Sequence, residues 1–111
     1  MNLEDLQFIC NKLDNVTEDI KWGQDLCFNI GGKMFLVANA EGNPVSASFK
    51  TDEETFNELI ERDGFIPAPY LARHKWVYVD DINRLSKKDW QQFINHSYEI
   101  VKVKLPKKRK L

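Results

Sequence analysis

Apolar residues recur at helical spacing through residues 2–13, where Leu3, Leu6, Ile9, Cys10 and Leu13 fall on one side of an α-helix. Asn2 stands where an N-cap belongs, and Asp5 lies three residues on, near the positive end of the helix dipole. The period then shortens. After a brief extended run at Glu18–Trp22, Leu26, Phe28 and Ile30 alternate with Cys27 and Asn29, the period of two that marks a strand. Residues 33–39, KMFLVAN, form another strand-like run, and Gly31-Gly32 separates the two. A diglycine can cradle a phosphate, but such a loop leads from a strand into a helix N-terminus, where amide groups and the dipole meet the anion. Here the glycines lead into a second strand. A two-residue hairpin needs positive φ at both central positions, which glycine supplies.

The second half of the chain repeats these signals. Val45, Ala47 and Phe49 face one way and Ser46, Ser48 and Lys50 the other, a strand with one wet side. Thr51 or Asp52 caps a helix over residues 52–64; Thr51 with Glu54 makes a capping box, Phe56, Leu59 and Ile60 the buried stripe, and Gly64 the stop. Pro67 and Pro69 exclude a central strand and a regular helix interior, so Phe65–Lys75 reads as a rigid bend with one helical turn at Tyr70-Leu71. Trp76–Val79 is the last predicted strand. Ser86 and Asp89 form a capping box for a final helix, whose stripe is Trp90, Phe93, Ile94, Tyr98, Val101 and Leu105. The expected fold class is α+β: an antiparallel β-sheet meander with helices packed on one face, in the order α-β-β-β-β-α-β-α. Residues 1–106 form a single domain, and 107–111 a basic tail.

Composition adds bounds. At 111 residues, with 42% hydrophobic and 30% charged residues, the chain has the size and balance of one globular domain. Its opening, MNLEDLQFIC, lacks the basic-then-apolar pattern of a signal peptide, and no apolar run reaches the roughly 18 residues of a membrane span. A cytoplasmic location is expected, with Cys10 and Cys27 as buried thiols; they lack the spacing of a redox or zinc pair. Charge is unevenly spread. Residues 1–83 hold 7 Lys/Arg against 15 Asp/Glu, and residues 84–111 hold 9 against 2. That asymmetry marks either a basic arm for an anionic partner or a solvated helix with a soluble tail.

Catalytic chemistry is hard to assemble from this inventory. His74 and His96 have no carboxylate or thiol at metal-ligand spacing, and no serine sits in a G-x-S-x-G elbow. Glu53, Glu54, Glu58 and Glu61 read as the wet face of a helix. No enzyme activity, metal or cofactor is expected. The aromatics Trp22, Tyr70, Trp76, Tyr78 and Trp90 have two readings: core packing, or platforms for stacking bases beside Arg73 and Lys75.

Three stretches, KWGQDLCFNIGGKMF, PAPYLARHKWVYV and SYEIVKVKLPKK, together resemble the MmcQ/YjbR family of small bacterial proteins. The matching pieces are Trp22-Gly23, Phe28, Gly31-Gly32-Lys33, Phe35, Pro67 through Leu71, Trp76 and Ser97-Tyr98. The resemblance implies a frataxin/CyaY-like fold and a "double wing" shape associated with DNA binding. It implies no catalytic residues. Frataxin-like iron binding does not carry over, since the first helix offers only Glu4, Asp5 and Asp14 where a dense acidic ridge is wanted. The leading expectation is therefore sequence-non-specific nucleic-acid binding. Lys33 would lie at a wing tip, with Arg73, Lys75, Lys87, Lys88, Lys102, Lys104, Lys107, Lys108, Arg109 and Lys110 on the backbone phosphates. The alternative is a module binding a protein or small ligand along the Pro67–Trp76 bend, with Trp22, Tyr70, Arg73 and Trp76 as its edge.

Overall fold

The computed structural model describes residues 1–106. Reciprocal capping boxes start two of its three helices. In α1 (Leu3–Asn11), the Asn2 side chain accepts from the Asp5 amide and the Asp5 carboxylate accepts from the Asn2 amide, both at 2.9 Å. In α3 (Lys87–Val103), Ser86 and Asp89 make the same reciprocal pair, as the sequence predicts. The start of α2 (Glu53–Leu59) differs from the predicted capping box. Asp52 alone caps it, accepting from the Thr55 amide, because the Thr51 hydroxyl donates instead to the Lys75 carbonyl. A threonine beside a strand end has a second acceptor within reach, and here that acceptor wins.

The sheet has six antiparallel strands: β1 (Val16–Lys21), β2 (Asp25–Ile30), β3 (Lys33–Asn39), β4 (Ala47–Lys50), β5 (Phe65–Pro67) and β6 (Trp76–Val79). Their spatial order is β1-β2-β3-β4-β6-β5. The predicted α+β order holds, with one short strand added. β5 is three residues long, ends on Pro67 and lies at the sheet edge, the one position where a proline leaves no ladder bond broken. The helical turn expected at Tyr70-Leu71 lies slightly later, as a 3₁₀ turn at Ala72–His74.

The diglycine is a hairpin turn. Ile30 pairs with Lys33, and Gly31 and Gly32 take φ of 58° and 80°. Gly31 has a second duty: a Cβ there would sit 2.6 Å from the Leu105 side chain, so the chain just past the end of α3 seats directly on the turn.

One sheet face carries the core. Phe28, Leu36, Phe49, Val77 and Val79 pack beneath Leu6, Leu59, Trp90, Ile94 and Tyr98 from the three helices. Edge-to-face contacts order the aromatics, with Phe49 5.3 Å from Trp90 and Phe35 5.8 Å from Tyr98. The polar tips find acceptors: Trp90 Nε1 donates to the Ile82 carbonyl at 2.8 Å, and the Tyr98 hydroxyl to the Asp14 carbonyl at 2.7 Å. Cys10 and Cys27 are both buried and unpaired. Among the described residues, no helix is long and apolar enough to cross a membrane.

Candidate functional site

The other sheet face is where unusual groups collect. Register places Asp25, Cys27 and Asn29 of β2, Met34 and Val37 of β3, Ser48 and Lys50 of β4, and Trp76 and Tyr78 of β6 on it. Among the described residues none of the three α-helices packs over this face; the chain joining β5 to β6 reaches over part of it instead.

At the end nearest the diglycine, a concavity of about 270 Å³ is lined by Lys33, Met34, Lys50, His74, Trp76, Val101, Lys104 and Leu105. Its three lysines come from β3, β4 and the end of α3. Among the described residues no carboxylate lines it and no ion pair engages any of the three. Lys50 is half-buried, and its ammonium donates to the His74 carbonyl, a neutral partner. Burial, then the charges of Lys104 and Lys75, push its pKa below the ordinary 10.5.

Farther along the same face, a second cavity of about 490 Å³ is bounded by Trp22 on the β1–β2 turn and by Pro69, Tyr70 and Leu71 on the β5–β6 connection. Met34, Val37, Ser48 and Asp25 form its floor and side. Met34 lines both cavities, so the two adjoin. Trp22 is 70% exposed and Tyr70 fully exposed. Each holds a left-handed backbone, φ 53° at Trp22 and 67° at Tyr70. For bulky side chains that conformation is an outlier, costing about 1–3 kcal/mol that other interactions must offset.

The structure thus divides the expected basic set. Lys33 and Lys104 converge, with Lys75 close enough to act on Lys50 electrostatically. Lys75 also lies 5.1 Å from the Phe56 ring centroid, and Lys102 5.5 Å from that of Tyr98. Lys87 and Lys88 are at the opposite end of α3, about 25 Å away at 1.5 Å per residue, with Lys87 on a mixed-charge groove beside α1. Arg73 is exposed but lines neither cavity. Lys107, Lys108, Arg109 and Lys110 lie outside the described residues. The expected ligand edge also divides: Trp22 and Tyr70 share the larger cavity, whereas Trp76, 5% exposed, is a wall of the basic one. Sequence reasoning missed Lys50, taken only as the wet side of a strand. Its signal was its alternation onto the same face as Trp76, which only the β4–β6 register reveals.

Two groups with catalytic character are occupied otherwise. His96 Nε2 lies 3.1 Å from an Asp52 oxygen, a pairing invisible at 44 residues' separation, and both side chains are substantially exposed. The Ser97 hydroxyl next to it is buried, its single proton shared between the Lys50 and Phe93 carbonyls. Burial raises both thiols, Cys10 strongly, so neither is a ready thiolate. Among the described residues no group of three His, Cys, Asp or Glu side chains could hold a metal ion together.

Fold and cavities define a small α+β domain, its sheet backed by helices on one side and open on the other. The YjbR family model matches residues 11–100, and the chain belongs to the YjbR family. Two solved structures share the fold. A Deinococcus radiodurans protein with a DUF419 domain superposes with a TM-score of 0.87 at 22% identity, covering 97% of this chain and 84% of its own. A Pseudomonas syringae protein gives 0.73 at 20% identity, covering 90% and 98%. Identities this low speak to fold alone. No curated protein matches the sequence.

Proposed function

We propose that this chain is a non-enzymatic binding domain that holds the phosphate backbone of nucleic acid in the basic concavity at Lys33, Lys50 and Lys104. The observation that carries this reading is the convergence of Lys33, Lys50 and Lys104 on one concavity whose lining, among the described residues, holds no carboxylate. Gathering like charges is unfavourable in the free protein, and a bound phosphate relieves it. Lysine meets phosphate as a point charge, so the contact positions the polymer without reading its sequence.

Fluorescence anisotropy with labelled mixed-sequence oligonucleotides, titrated against salt, tests the proposal. Three phosphates neutralised give a log–log slope of about −2.7 on duplex and about −2.1 on a single strand. Lys33→Gln, Lys50→Gln and Lys104→Gln should each make the slope shallower by roughly one phosphate's share. Affinity weaker than about 100 μM for both forms at low salt, the upper end of non-specific binding, overturns the proposal. So does a slope that none of the three substitutions changes.

A further inference from the structure

We infer that the two adjoining cavities form one site for an unpaired nucleotide: the larger takes a base between Trp22 and Tyr70, and the basic one takes its phosphate. This rests on the backbone reading above and narrows it to single strands. The argument begins with the two aromatic residues. Neither belongs to the core, both are largely or wholly exposed, and both stand on backbone that a bulky residue avoids. Packing does not account for that combination. A ligand with a flat apolar face does, because two exposed rings lining one cavity offer it stacking surfaces.

The floor narrows the ligand class. Met34 and Val37 are apolar and suit a ring face or edge, while Asp25 and Ser48 offer polar partners. A carboxylate accepts from the exocyclic amines of cytosine, adenine and guanine. Thymine and uracil have none. Beside this cavity, across Met34, lie the three lysines. An apolar, donor-seeking pocket next to a carboxylate-free basic one matches the two halves of a nucleotide. In a duplex, the base faces are stacked and the Watson–Crick edges paired. Only an unpaired strand offers a base that can enter between the β1–β2 turn and the β5–β6 connection.

The experiment compares four labelled ligands of equal length by anisotropy at one salt concentration: a mixed single strand, an oligo-thymidine strand, an abasic strand and the matching duplex. The mixed strand should bind roughly ten- to a hundredfold more tightly than the abasic strand, the range expected for stacking of one base. Oligo-thymidine should fall between them. Trp22→Gly and Tyr70→Gly each suit the left-handed backbone, and each should close most of the gap between mixed and abasic strands. A thermal melt on the same samples confirms folding. Asp25→Asn should bring oligo-thymidine closer to the mixed strand. Equal affinity for mixed and abasic strands, or tighter binding of the duplex, overturns this inference while leaving the lysine reading standing. Failure of all four to bind overturns both.

Discussion

Two turns on the same sheet solve one backbone problem differently. Between β2 and β3, Gly31 and Gly32 both adopt positive φ, and no side chain is asked to tolerate it. Between β1 and β2, Trp22 and Gly23 also adopt positive φ, at 53° and 86°, but the first position is filled by the bulkiest residue available. The first turn is shaped by packing, since Leu105 occupies the space where a Gly31 side chain would go. The second has open space around its glycine, and its tryptophan points away from any core. Where the fold alone governs a turn, sequence follows conformational preference. Where sequence and conformation disagree on an exposed loop, ligand contact is the better explanation.

Substitutions should pull the two turns in opposite directions. The largest effect belongs to Gly31→Val, which combines a left-handed β-branched residue with collision against Leu105. A loss of about 3 kcal/mol in urea unfolding is expected, and a loss under about 1 kcal/mol would mean that Leu105 moves aside freely. Gly32→Ala meets no neighbour within 4 Å, so only the backbone term of about 1 kcal/mol should remain. Trp22→Gly reverses the sign: relief of φ should leave stability unchanged or raise it by up to about 1 kcal/mol, even as base-dependent binding falls. Marked destabilisation would instead make the tryptophan a structural residue and erase the contrast between the turns.

The smallest effect is a pH dependence on the side of the diglycine turn, which brings Lys33 to Lys50. Because Lys50 has a folded-state pKa below 10.5, it gives up its proton sooner when folded than when unfolded. Between the lowered value and 10.5 the unfolded chain binds more protons, so the folded state gains stability as pH rises there. Phosphate affinity should move the other way across that window, since the ammonium is what the anion meets. Lys50→Gln should flatten the binding profile; an unaltered profile would remove Lys50 from the site.

Local signals carried most of the architecture. The Ser86/Asp89 capping box, the spacing from Trp90 to Leu105 and the diglycine hairpin were all readable within a few residues of sequence. β5 was not, because three residues containing a proline give no periodicity, and only its edge position makes the proline acceptable. The candidate site was half legible. Lys33, Lys104, Trp22 and Tyr70 stood out by charge or by aromatic character. Their division into two cavities depends on strand register and on which end of α3 meets the sheet, information held in contacts between distant residues. Lys87 and Lys88 show the error that follows: adjacent in composition to Lys102 and Lys104, they lie at the far end of one helix.

The seat of Leu105 on Gly31 makes the helical span from Trp90 to Val103, just before it, a ruler with angular graduations. Each residue added to that span turns everything after it by about 100° around the axis. A single insertion would therefore swing the ammonium of Lys104 out of the concavity, even if the added residue packed well. Helical phase, rather than the number of lysines at the terminus, decides whether that charge reaches the sheet.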